Sequence, residues 1–129
     1  SSLTLPTHIK ENPYIDFLRS SSDNKLLRVL QSRENEIQSS RGETDCGFFC
    51  FDCKTLYHVL ERAFKKESTL GNVTGERNLL PLFPQFEDYK NGIATLRGYY
   101  PDETLGVNTP EDLNRASEIV IARKGLSSL

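Results

Sequence analysis

Asp45-Cys46-Gly47-Phe48-Phe49-Cys50-Phe51 is apolar on both of the faces a strand presents, and a helical pattern follows it without a break. A strand of that kind needs a layer on each side, so this stretch predicts a central buried strand in an α/β fold. Asp52 is placed to cap the helix. Behind it Leu56, Val59, Leu60, Ala63 and Phe64 fall at helical spacing on one face, with Glu61, Arg62, Lys65 and Lys66 on the other.

The rest of the chain supplies the neighbours. Residues 1–13 are polar and end in Asn12-Pro13, which reads as a connection with a short strand at Leu3 to Leu5. Tyr14 to Arg19 and Lys25 to Gln31 read as two strands, joined by the turn residues Ser20 to Asn24 into a hairpin. Residues 32–43 are charged and polar, hence a surface loop. Residues 67–73 are a linker, Thr74 to Leu80 reads as a short helix, and Pro81 and Pro84 break it. Asn91-Gly92 is a turn before a strand at Ile93 to Tyr99, and Tyr100 to Thr104 crosses over to the last helix.

That helix has the clearest start in the chain. Thr109 is a good N-cap, Pro110 fits the first helical position, and Glu111 and Asp112 set negative charge against the positive end of the helix dipole. It runs to about Arg123, burying Leu113, Ala116, Ile119 and Val120, and Gly125 stops it. Just upstream, Gly106 permits a sharp turn and Asn108 offers an amide oxygen. The order strand, strand, strand, helix, helix, strand, helix predicts an α/β layer with a mixed sheet and helices.

A length of 129 residues fits one domain spanning 1–129, with 36% hydrophobic and 26% charged residues, the balance of a globular protein. A net charge of −2 leaves no basic footprint for nucleic acid. No apolar run has the length of a membrane span, and no secretory signal is legible. Three cysteines leave at least one unpaired, which suits a reducing compartment; the expectation is a cytoplasmic protein with neither nucleic acid nor membrane as partner. Asn72-Val73-Thr74 matches a glycosylation acceptor by chance on this reading.

Few residues point to chemistry by themselves. Cys46, Cys50 and Cys53 have the C-x3-C-x2-C spacing of some iron–sulfur sites, but such ligation needs a flexible loop, and buried structural cysteines are the better expectation. His8 and His58 are the only histidines and have no partners at ligand spacing, which disfavours zinc and a histidine-based hydrolase. The carboxylates Asp45, Glu76, Asp102 and Glu103 come from loops and element ends, where an α/β sheet places its ligand groups. No glycine-rich phosphate loop of either common type is present.

Three motifs occur in a telling order. Thr44 to Asp52 looks like an N-T-G strand leading into a helix, Thr74-Gly75-Glu76-Arg77-Asn78-Leu79-Leu80-Pro81 like a G-E-x-x-L segment, and Gly106-Val107-Asn108-Thr109-Pro110-Glu111-Asp112-Leu113 like a G-V-N-T-P-E-D-L ending. Arg28-Val29-Leu30-Gln31 stands where an I-V-E strand precedes them. Together, over about residues 14–122, they resemble the C-terminal part of the sugar-phosphate nucleotidyltransferases, most closely the bacterial N-acetylglucosamine-1-phosphate uridylyltransferases.

The resemblance implies a GT-A-like (Rossmann-like) α/β domain that moves a nucleotidyl group from an NTP to a sugar 1-phosphate, with Mg²⁺ as cofactor and pyrophosphate as product. It assigns Asn108 to the metal, and Gln31, Asp45, Gly47 and Glu76 to the substrate side. Gln31 replaces a glutamate of the family and Asp45 an asparagine, and Ile15 falls near a substrate-contacting glycine; these departures speak against N-acetylglucosamine as the sugar. The family's G-x-G-T-x-x loop, its lysine and its central metal-binding aspartate have no counterpart in these residues. The expectation is therefore the acceptor-side half of the domain, inactive by itself, with an open sheet edge that favours a homodimer. The alternative is a non-catalytic ligand-binding or regulatory domain on the same scaffold.

Overall fold

The computed structural model describes residues 1–66, 70–98, 102 and 105–125. Its strands are β1 (Leu3–Glu11), β2 (Ile15–Arg19), β3 (Leu26–Gln31), β4 (Arg41–Asp45), β5 (Cys50–Phe51) and β6 (Ile93–Arg97). Its α-helices are α1 (Cys53–Lys66) and α2 (Pro110–Lys124), and 3-10 helices occupy Ser32–Glu34 and Leu80–Asp88. The arrangement is mixed α/β, as expected.

The strand at its centre is not the expected one. β1 pairs on both edges: antiparallel with β4 and β5 on one side, parallel with β6 on the other. The segment read as a polar connection is thus the axis of the sheet, with Leu3, Leu5 and Thr7 at most 1% exposed. Its alternation is hard to see because Thr7 takes an inward position and Pro6 sits mid-strand. The Pro6 carbonyl accepts the Cys46 N–H at 3.1 Å, so its missing N–H faces the same edge. There the ladder is interrupted: Cys46–Phe49 stands opposite only Leu5 and Pro6, a bulge that includes Gly47 at φ 78°. A proline is tolerated inside a sheet at such a bulge.

The stretch expected to be the central buried strand is therefore an interrupted edge. Phe48 is exposed, and Phe49 and Phe51 turn inward instead, against Phe83 and Phe86 of the 3-10 helix, with Phe49 edge-on to Phe83 at 4.9 Å between centroids. Asp52 caps α1 as expected, accepting the Thr55 N–H and hydroxyl at 2.8 Å each. Val59 and Ala63 are buried and Leu56 and Leu60 partly so, but Phe64 is exposed, with the Arg77 guanidinium over its ring.

The expected helix at Thr74 to Leu80 is absent. The helical segment comes later, at Leu80–Asp88, with both prolines inside it. Pro81 sits at the start, where an N–H has no partner in any case, and the loss at Pro84 is outweighed by burial of Leu82, Phe83 and Phe86. Residues 32–43, read as a loop, hold a 3-10 turn and the start of β4. Of the expected strand Ile93 to Tyr99, β6 covers Ile93–Arg97, and Tyr99 lies outside the described residues.

The β2–β3 hairpin forms as read, with Asn24 at φ 59° in its turn. It lies across the sheet through two polar contacts. Asp16 Oδ1 accepts the Glu43 N–H at 3.0 Å on the outer edge of β4, so close that a Cβ on Gly42 would lie 2.2 Å from that oxygen. Arg19 grips Glu43 with Nε–Oε2 2.6 Å and Nη2–Oε1 2.9 Å, and donates to Thr95 Oγ1 of β6 at 2.9 Å. Both side chains of the pair are about 85% buried, at 13% and 15% exposure. Burial pushes the Glu43 carboxyl up, but hydrogen bonds from Arg19 and Thr7 and the charges of Arg19 and Arg97 bring it below its ordinary value.

Arg19→Ala is expected to cost roughly 3 kcal/mol of stability in urea unfolding, since it leaves a largely buried carboxylate alone. A loss under about 1 kcal/mol would mark the pair as solvent-screened. Because the folded-state pKa of Glu43 is lowered, its contribution is complete above about pH 4.5 and is lost as pH falls through the lowered value. The urea midpoint of Glu43→Gln should therefore fall less steeply on acidification than that of the wild type.

Candidate functional site

Three places carry the residues singled out in the sequence. The first is a groove of about 470 Å³ between β3, the loop at 70–72 and the 3-10 helix, lined by Gln31, Glu34, Asn72, Pro81 and Pro84 among others. Gln31 ends β3 and is 2% exposed. Its Oε1 accepts from Asn78 Nδ2 and from Arg33 Nε at 3.2 Å, and Arg33 Nη1 reaches Glu76 Oε2 at 3.0 Å. Gln31 and Glu76 are thus brought together through Arg33. Neither Arg33 nor Asn78 stood out in the sequence, where Arg33 is one charge in a polar run.

The second place is the end of β4. Asp45 Oδ1 accepts the Gly47 N–H at 3.0 Å, the local turn that a positive φ at Gly47 allows. Burial raises the Asp45 carboxyl above its ordinary value, and the Gly47 N–H only partly offsets this.

The third is the entry to α2. Thr109 and Asp112 form a reciprocal capping box: Thr109 Oγ1 accepts the Asp112 N–H at 3.1 Å, and Asp112 Oδ2 accepts the N–H groups of Thr109 and Asn108 at 3.0 and 3.1 Å. Those N–H groups hold the Asp112 carboxyl below its ordinary value. Asn108 itself is exposed, its amide nitrogen 3.4 Å from where a Cβ of Gly106 would stand. Asp102 pairs with Arg123 on α2, while Glu103 lies outside the described residues. α2 buries no residue; Leu113 and Val120, expected in a core, are 56% and 47% exposed. The hydrogen bonds and ion pairs described above lie within each place, and none of them runs from one to another.

Among the described residues no group of three His, Cys, Asp or Glu side chains converges on a metal position, and Asn108 supplies a single neutral oxygen. The expected burial of the cysteines is also corrected. Cys50 and Cys53 are exposed and Cys46 is half-buried: Cys50 lies on the strand face opposite Phe49 and Phe51, and Cys53 opens α1. His58 is exposed on α1. No described helix is long and apolar enough to cross a membrane. No protein-family model matches the sequence, and no curated protein does.

A carboxyl-detected NMR titration of Asp45 is expected to give a midpoint above the ordinary aspartate value of 3.8. Gly47→Ala, which strains the turn and loosens its N–H bond, should move that midpoint further up. A midpoint at or below the ordinary value would mean that Asp45 is well solvated.

Proposed function

We propose that these residues form the acceptor side of a Mg²⁺-dependent nucleotidyltransferase with a GT-A-like domain, acting on an NTP and a sugar 1-phosphate. The observation that carries this reading is the ordered motif set from Gln31 to Asn108, each polar member of which stands at a strand end, in a loop or at a helix mouth. Those are the positions from which α/β sheets contact ligands. A mixed sheet with β6 parallel to β1 is compatible with it.

In this reaction a phosphate oxygen of the sugar 1-phosphate attacks the α-phosphorus of the NTP. The bond from that phosphorus to the bridging oxygen breaks, and pyrophosphate leaves with the electron pair. Bound Mg²⁺ supplies charge neutralisation on the phosphate oxygens. Asn108 would give the ion one ligand, with phosphates and water completing the shell, since Mg²⁺ keeps few protein ligands. Gln31 and Asp45 bear on the acceptor. Relative to Glu and Asn at those positions they shift the charge balance and the donor pattern, which selects an acceptor other than N-acetylglucosamine 1-phosphate.

The second reading is a non-catalytic ligand-binding or regulatory domain. It is favoured by the state of Gln31, whose carbonyl oxygen is already taken by Asn78 and Arg33.

The deciding assay is pyrophosphate release by the full-length protein with Mg²⁺, each NTP and a panel of sugar 1-phosphates. Release should depend on one NTP–sugar pair and fall by roughly 100-fold or more in Asn108→Ala, as expected when a group acting on transition-state charge is lost. No release with any pair would turn the assignment to the binding domain.

A further inference from the structure

Glu34 belongs to a part of the sequence that reads as solvated loop, yet its side chain is buried to 9% exposure on the 3-10 turn after β3. Its carboxylate reaches across about forty residues of chain. Oε2 accepts the Val73 N–H at 2.7 Å and Oε1 the Thr74 hydroxyl at 2.6 Å. Gly71 packs on it so closely that a Cβ there would lie 2.4 Å from Oε1. The loop so held is itself ordered by backbone bonds from Gly71 N to Glu76 O at 2.9 Å and from Gly75 N to Gly71 O at 3.0 Å. One end of it, at Leu70 to Asn72, forms a wall of the groove that Gln31 lines; the other end carries Glu76, tied to Gln31 through Arg33.

We propose that Glu34 is a positioning residue for the sugar 1-phosphate: it fixes the 70–76 loop as the wall of the groove and thereby sets the fit of the acceptor. This rests on reading the groove as the acceptor side of the proposed transferase. The bonds are of the charge-assisted kind, short and directional, and they tie a glycine-containing loop to a turn that follows β3 directly. The Thr74 hydroxyl, then the Val73 N–H, keep the Glu34 carboxyl below its ordinary value, so it is ionised and accepting at neutral pH. Arg33, the neighbouring cation, acts in the same direction.

The test uses Glu34→Gln and, as a second route to the same displacement, Gly71→Ala, whose methyl group would press on the carboxylate. Amide exchange is read at Val73 and across 70–76, against the amides of β1 as an internal reference. Loss of one charge-assisted bond should speed loop exchange by about 10- to 100-fold while β1 is unchanged. In parallel, glucose 1-phosphate and N-acetylglucosamine 1-phosphate are titrated into the full-length wild type and both variants, with shifts followed at the Gln31 and Asn78 amide groups.

The proposal expects glucose 1-phosphate to shift the groove signals of the wild type and to bind about tenfold or more weakly to both variants, with N-acetylglucosamine 1-phosphate as the weaker-binding comparison. It also expects a raised KM for glucose 1-phosphate with kcat little changed. Faster loop exchange with unaltered affinity would overturn it, as would an unchanged loop. Absence of groove shifts in a wild type that still releases pyrophosphate overturns this inference and leaves the transferase standing. Absence of both removes the two together.

Discussion

β1 has to satisfy hydrogen bonds on both edges while carrying a proline, and the rest of the sheet is arranged around that requirement. The donor missing at Pro6 faces the β4–β5 edge, where Cys46–Phe49 bulges and asks for none. Phe49 and Phe51, two residues apart, share a face and pack on Phe83 and Phe86, while Phe48 is exposed. The opposite edge of β1 remains regular, and β6 pairs there in parallel from Leu3 to Thr7.

The same face of the sheet is polar towards the far end of β1. Thr7, Glu43, Thr95 and Arg19 hold one another where an apolar layer would be the simpler solution. Ion pairs in such places add little to stability over well-packed apolar groups, though breaking them is costly. What Arg19 does add is direction. Its planar fork engages two strands on opposite sides of β1, so the hairpin can lie in only one register across the sheet.

Local signals were legible in the sequence, and long-range ones were not. The hairpin, the Asp52 cap, the turn before β6 and the N-cap at Thr109 each depend on residues a few positions apart, and each is where the chain implies. The centre of the sheet depends on which strand finds two partners, and no feature of Leu3 to Glu11 announces that. A run such as Asp45 to Phe51 has the composition of a buried strand, yet its inward residues meet a helix rather than a second layer. At the candidate site the same division holds. Gln31, Asp45, Glu76 and Asn108 are proposed from sequence motifs alone, whereas the bonds through Arg33, Asn78 and Glu34 join distant segments and show only in the fold.

α2 shows how far local chemistry carries a helix. It has a reciprocal capping box, Pro110 at its start, Glu111 and Asp112 in the first turn, Arg123 and Lys124 in the last, and Gly125 at φ 61° beyond. None of its residues is fully buried, though Ala116, Ile119 and Ile121 are half-buried, so the end devices and the Asp102–Arg123 pair carry much of its definition. A helix of about this length is marginal in water without packing, and each cap contributes about 1 kcal/mol at most sites. The density of end signals is what such a helix requires. It also fixes the backbone at Asn108, because the N–H groups of Asn108 and Thr109 both point to the Asp112 carboxylate. An exposed residue whose main chain is held this firmly keeps its side chain free to meet a ligand at low entropic cost. The proposed metal role of Asn108 draws on that combination more than on the identity of the residue alone.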